Sequence, residues 1–247
     1  EVLPNITSIN FLGGEPLVVE EHYEWLQKII NMGHADHINL YYNTNATTIP
    51  DKWFDIWKEF KGVNLGISID AVGDLAYYVR HPSKWKVIER NISKLANFTK
   101  QHKNIFVQTH ATLSCLNLHD LPNLLEWSKQ NYELWNYTWE WGPYGYQNCV
   151  PHFNIVENPS YLHIKHLPTE IKESLNEMLD NEYKKYSSMK LNEWEYSAVE
   201  NILGIKNTLN QDRDLVQWQK FIENTKASDN FRRINITDYI PWAKEFF

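Results

Sequence analysis

One alternation constrains this chain more than any other feature. Short apolar runs at Ile6 to Leu12, His37 to Tyr42, Val63 to Ile69, Asn104 to Thr112 and Leu134 to Trp141 are separated by segments with helical periodicity. Those segments span Glu20 to Met32, Asp51 to Phe60, Lys84 to Gln101 and His119 to Gln130. In the third, Trp85, Ile88, Ile92, Leu95 and Phe98 recur at three- and four-residue steps, which places them on one helix face. Pro50-Asp51, Pro82-Ser83 and Asp120 with Pro122 mark helix starts, where a missing amide donor costs nothing and a side-chain oxygen caps free N–H groups. Parallel strands need crossovers of this length, and the right-handed βαβ unit is the form that packs. Residues 1–145 therefore predict a parallel sheet with helices between its strands, either part of a barrel or an open doubly wound sheet.

After Gly142-Pro143-Tyr144-Gly145 the rhythm stops. Residues 146–167 read as an irregular connection with one extended piece at Tyr161 to His166. Pro168 starts a helix with Ile171, Leu175, Met178 and Leu179 on one face. The remainder to Phe247 reads as mainly helical, so the expected division is 1–145 and 146–247.

Composition removes several functions. A net charge of −7 argues against nucleic acid, whose binders carry a basic balance. No run approaches the roughly 18 apolar residues of a membrane span, and no basic segment followed by an apolar one opens the chain as a secretion signal. The expectation is a cytoplasmic protein with neither membrane nor nucleic-acid partner. Cys115 and Cys149 are too few for a disulfide framework or a cysteine-built metal site, so no metal ligand is assigned. The pairs His34/His37 and His163/His166 lack a third ligand for zinc and are expected to be surface histidines.

In parallel α/β folds ligands bind beyond the carboxyl ends of the strands. The first run ends in Gly13-Gly14-Glu15-Pro16, where two glycines let backbone approach a ligand and Glu15 offers a carboxylate to an ammonium. The second ends in Asn43-Thr44-Asn45-Ala46-Thr47, a cluster of small hydrogen-bonding groups. The third ends in Ser68-Ile69-Asp70, whose alternation sends Ser68 and Asp70 to one face. Arg80, ten residues on, has the planar fork that clamps a carboxylate.

Together these elements resemble the radical S-adenosylmethionine (SAM) superfamily. Phe11-Leu12-Gly13-Gly14-Glu15-Pro16-Leu17 is similar to its Gly-Gly-Glu-Pro motif, Asn43 to Thr47 to its Thr-Asn-Gly-Thr element with Ala46 in place of glycine, and Ser68-Ile69-Asp70-Ala71 to its Ser-Ile-Asp-Gly element. Tyr77 to Asn91 and Asn158 to Pro168 most resemble the members that carry a twitch domain. The resemblance implies a partial (βα)6 TIM-like barrel of parallel strands, its first βα unit absent here, followed by a mainly helical C-terminal region. It implies S-adenosylmethionine as cofactor, with Gly13, Gly14, Glu15 and Pro16 at the methionine ammonium and Asn45, Ser68, Asp70 and Arg80 toward ribose and carboxylate. Gln108 and His110, with Trp139 or Trp141, would face the barrel interior. The implied chemistry is reductive cleavage of the sulfonium by a [4Fe–4S] cluster, giving a 5′-deoxyadenosyl radical that takes hydrogen from a substrate of unknown class.

The superfamily holds that cluster with a Cys-x3-Cys-x2-Cys loop upstream of the glycine motif, and this chain has no such loop. The chain is therefore expected to be either a fragment of a longer enzyme or a natural truncation that has lost radical chemistry, with the cluster only in a complete protein and the missing N-terminal segment or a reductant protein as partner. This chain alone is expected not to cleave the cofactor. No catalytic residue is assigned. Two alternatives stand beside the resemblance: a degenerate barrel acting as a binding adaptor, and a carbohydrate-active barrel with Glu15, Asp70 or Glu140 as its carboxylates.

Overall fold

The computed structural model describes residues 3–131, 152–188 and 193–247. The run at Leu134 to Trp141, with Trp139, Glu140 and Trp141, lies outside them, as do Cys149 and the boundary drawn at 145/146. Five strands, β1 (Ser8–Phe11), β2 (Asn39–Thr44), β3 (Gly62–Ser68), β4 (Ile105–Leu113) and β5 (His152–Ile155), form one sheet in that order. Every pairing is parallel. The elements between them are the helices α1 (Glu20–Asn31), α2 (Lys52–Trp57), α3 (Gly73–Val79), α4 (Trp85–Thr99) and α5 (Leu121–Asn131). The architecture is the expected α/β one, a parallel sheet consistent with part of a TIM-like barrel, followed by a helical region.

The alternation along each strand separates two faces. On one, Leu40, Val63, Leu65, Ile67, Ile105 and Val107 are buried against α1, α2 and α4. Trp53 and Trp57 of α2 are fully enclosed there. Each such ring removes about 150–250 Å² from water, about 4–6 kcal/mol at 25 cal/mol/Å². The opposite face is polar: register pairs Asn10 with Tyr41, Tyr41 with Asn64, Asn43 with Gly66, Gly66 with Gln108, and Ser68 with His110. Gly66 is needed at the centre of this face, since a Cβ there would lie 2.6 Å from Asn43 Oδ1 and 3.0 Å from the His110 ring.

Three features depart from the sequence expectations. β5 falls in the stretch read as irregular, because four residues are too short to establish a period of two. Tyr161 to His166 is not extended: it forms two 3-10 turns, Ser160–Leu162 and Ile164–His166, the second capped by His163 Nδ1 accepting from Lys165 N at 3.1 Å. The short helix α3 was not anticipated. It begins at Gly73, whose φ of +60° turns the chain sharply out of the preceding extended segment.

A second apolar cluster lies beside the first. Helices α6 (Thr169–Ser187), α7 (Glu193–Leu209) and α8 (Leu215–Arg232) pack on α3, the end of β4 and α5 through Leu75, Leu113, Leu121, Leu175, Ile202 and Phe221. Asp229 of α8 fixes this docking: it accepts from Tyr78 Oη at 2.8 Å and from Ile236 N at 2.7 Å. Trp85 and Phe153 border both clusters. Among the described residues no helix is long and apolar enough to cross a membrane.

Candidate functional site

Because all five strands run the same way, the loops after β1, β2 and β3 gather at one edge of the sheet. After β1 the chain turns through Gly13 (φ +85°) and Gly14 (φ +50°), left-handed conformations that favour glycine, and a Cβ on either would meet nothing within 4 Å. Glu15 follows as the N-cap of a turn over Pro16–Val18, accepting from Leu17 N at 3.3 Å. Leu17 is in turn held from below by Trp53, whose indole N–H donates to its carbonyl at 2.8 Å.

The Glu15 carboxylate reaches the next loop. Its Oε1 accepts from Thr44 Oγ1 at 2.7 Å and its Oε2 from Asn45 N at 2.8 Å. Thr44 Oγ1 also accepts from Ala46 N at 3.1 Å, and Asn45 Oδ1 accepts from Thr47 N and Thr47 Oγ1 at 2.9 and 2.6 Å. With its oxygen committed to Thr47, Asn45 presents the NH2 end of its amide as a donor. Ala46 takes the left-handed conformation (φ +55°), about 1–2 kcal/mol unfavourable for an L-residue. Its methyl is fully buried, and Asn91 Nδ2 donates to its carbonyl at 2.8 Å, so packing and a tertiary hydrogen bond together hold the strained turn.

At the end of β3, Asp70 is 8% exposed. Its Oδ2 accepts from Arg80 Nε at 2.6 Å and its Oδ1 from Thr112 N at 2.7 Å. Asn117, itself buried, donates through Nδ2 to the Asp70 and Thr112 carbonyls at 2.8 and 2.9 Å. Arg80 sits at the C-terminal cap of α3, where a cation also meets the negative end of the helix dipole.

Between the second and third loops lies an open cleft of about 430 Å³, lined by Asn45, Thr47, Arg80, His81, Pro82 and Ser83. Asn45 and Arg80 thus meet in one cleft, and Glu15 is joined to Asn45 by hydrogen bonding. Gly13, Gly14 and Pro16 belong to the loop that Glu15 anchors. Ser68, Gln108 and His110 stand on the polar sheet face below, and Asp70 lies behind Arg80. Thr44, Thr47 and Asn117 are parts of this arrangement that sequence reasoning did not single out as site residues. Thr44 and Thr47 lay within a recognised motif, whereas Asn117 carried no local signal because its partners come from two strand ends.

These residues answer differently to S-adenosylmethionine and to an iron–sulfur cluster. A cleft of this size is within the range of small-molecule sites. It carries the Asn45 amide, the Ser83 hydroxyl and the Arg80 guanidinium, a donor set suited to a ribose and a carboxylate. The cleft thus suits the ribose and carboxylate portions of S-adenosylmethionine. Among the described residues an iron–sulfur cluster finds no thiolate ligand: Cys115 is buried, its thiol pushed up by desolvation, and it donates to the His163 carbonyl at 3.4 Å. Among the described residues no group of three or more His, Cys, Asp or Glu is arranged to hold a metal ion. His163 and His166 are not surface residues as expected, being 4% and 2% exposed. Their Nδ1 atoms accept from Lys165 N and Asp214 N, both at 3.1 Å, so the neutral tautomer with Nε2–H is fixed in each.

No protein-family model matches the chain, and no curated protein sequence matches it. Solved structures align with part of it. A histidine-tagged anSMEcpe with bound AdoMet aligns at 17% identity and a TM-score of 0.47, over 73% of this chain and 47% of that one. Streptococcus suis SuiB bound to S-adenosylmethionine aligns at 15% identity and a TM-score of 0.44, over 75% of this chain and 36% of that one. SuiB bound to precursor peptide SuiA aligns at 18% identity and a TM-score of 0.42, over 75% and 37%. The chain spans less than half the length of each of these proteins.

Proposed function

We propose that this chain supplies the S-adenosylmethionine-binding strands of a radical SAM enzyme. One observation carries the reading. The Gly-Gly-Glu-Pro loop, the Asn-Thr-Asn-Ala-Thr loop and the Ser-Ile-Asp strand end follow in that superfamily's order and lie at one sheet edge, with Glu15 joining the first to the second.

Within this reading each residue has a limited task. The backbone of Gly13 and Gly14 approaches the methionine end without side-chain obstruction. Three of the roughly four lone-pair directions of the Glu15 carboxylate are used internally, which leaves one for an ammonium. Asn45 donates toward the ribose, and the Arg80 guanidinium answers the carboxylate. Bound S-adenosylmethionine supplies the adenosyl group from which such enzymes draw a 5′-deoxyadenosyl radical. The residues here bind and orient it. Reduction and the substrate belong to the whole protein.

Isothermal titration of this chain with S-adenosylmethionine tests the reading directly. A saturable one-to-one heat is expected, with an Asn45→Ala variant binding at least about tenfold more weakly, the loss of one well-placed hydrogen bond. The absence of any heat from the wild-type chain would remove the reading.

A further inference from the structure

The polar site residues differ in one respect that sequence motifs do not reveal. Arg80 lines the cleft with its side chain 31% exposed, whereas the Asp70 side chain is 10% exposed and is not among the residues that line it. Both carboxylate oxygens of Asp70 are engaged, one by Arg80 Nε at 2.6 Å and the other by Thr112 N at 2.7 Å. A guanidinium carries five N–H donors in a rigid fork. Asp70 takes the Nε edge, and the Nη groups are the part of Arg80 left to the cleft. Asp70 is itself immobilised, since β4 donates to its carboxylate and Asn117 donates to its carbonyl at 2.8 Å.

We infer that Asp70 is a positioning residue: it aims Arg80 at an anionic group of the ligand and does not itself touch that ligand. This rests on the proposed function and deepens it, assigning the residue that orients Arg80 toward the carboxylate. It also reassigns Asp70 from ligand contact to support. A ligand that lacks the carboxylate should be indifferent to Asp70.

The experiment pairs two ligands with four proteins. S-adenosylmethionine and 5′-methylthioadenosine, which lacks the amino-acid end, are titrated into wild type, Asp70→Asn, Arg80→Ala and the double variant. Asp70→Asn keeps an oxygen for Thr112 N but removes the charge that holds Arg80. The Kd for S-adenosylmethionine is expected to rise about tenfold in Asp70→Asn, the scale of a weakened charge-assisted contact. The Kd for methylthioadenosine should stay within about twofold, and the double variant should match Arg80→Ala alone. Equal losses for both ligands in Asp70→Asn would overturn the inference while leaving the cofactor site standing, as would losses that multiply in the double variant. Wild type binding neither ligand would end the proposed function and this inference with it. A second measurement needs no variant. The Arg80 Nε–H resonance should be protected from exchange in the free protein and unmoved by S-adenosylmethionine, while the Nη resonances shift. An unprotected Nε–H, or a ligand-induced shift of the Asp70 carboxyl carbon, would overturn the positioning role.

Discussion

Replacing Glu15 by alanine should cost this protein stability before it costs any ligand. The carboxylate accepts from Thr44 Oγ1 at 2.7 Å, from Asn45 N at 2.8 Å and from Leu17 N at 3.3 Å. Hydrogen bonds to a charged group contribute about 1.5–3 kcal/mol each, and the longest of the three contributes least. Glu15 is half-buried, so water can replace the carboxylate at Asn45 N. It cannot easily do so at Thr44, which is 2% exposed. With the Thr44 bond counted in full and the other two largely replaced by water, the loss is about 3 kcal/mol, against the 5–15 kcal/mol that typically separates folded from unfolded domains. Glu15→Gln should lose about half as much, because an amide oxygen still accepts from Asn45 N while the NH2 end must face Thr44. Urea unfolding followed by tryptophan fluorescence reads the effect, with Trp53 bonded directly to the loop at Leu17. A Thr44→Val change made alone and with Glu15→Ala should show a coupling of about 1 kcal/mol or more. If Glu15→Ala unfolds within about 0.5 kcal/mol of wild type, the range of ordinary surface changes, the loop is not held by Glu15 and the reasoning fails.

Two further outcomes are expected. Burial lowers the pKa of His119 from its usual 6.5 to about 4 and also lowers those of His163 and His166, so all three favour the neutral form when folded. The unfolded chain takes up these protons near pH 6.5, so the stability they contribute is full above that pH and is lost as the pH falls toward 4. Urea midpoints at pH 7 and 4.5 should show the loss and a His119→Gln, His166→Gln variant should show less of it; an unaltered slope would contradict the assignment. Gly66→Ala should lower the thermal midpoint by an amount equivalent to about 1–2 kcal/mol, since the new methyl meets Asn43 Oδ1 at 2.6 Å and the His110 ring at 3.0 Å. Asn43→Ala in the same chain should recover part of it, and no recovery would mean that the backbone, not Asn43, gives way.

The strand and helix rhythm was legible because each run is long enough to show a period: β2, β3 and β4 lie within about two residues of the apolar runs that announced them. Short elements were not. β5 and α3 hold four and seven residues, too few for either period, and both are fixed by what they pack against. The same division holds at the site. Gly13 to Pro16 and Asn43 to Thr47 were recognisable as strings, and Ala46 stood out as a departure from glycine whose cost the structure reveals. The hydrogen bonds that decide roles, Glu15 to Thr44 and Asp70 to Arg80 and Thr112, span 29, 10 and 42 positions. Such pairings depend on loop paths and the parallel register, which no local pattern encodes. His163 and His166 were misjudged for a related reason: three-residue spacing reveals a shared face but not that C-terminal helices cover it.

The two apolar clusters have a consequence for the cleft. Asn45 and Thr47 hang from the first cluster through the buried Ala46 and Ile49, while Arg80 to Ser83 continue from α3, whose Leu75, Ala76 and Tyr78 belong to the second. The two walls of the cleft are therefore mounted on different foundations that meet along a seam bordered by Trp85 and Phe153. A small molecule bridging Asn45 and Arg80 works as a strap across that seam. Its binding energy resists the parting of the two halves.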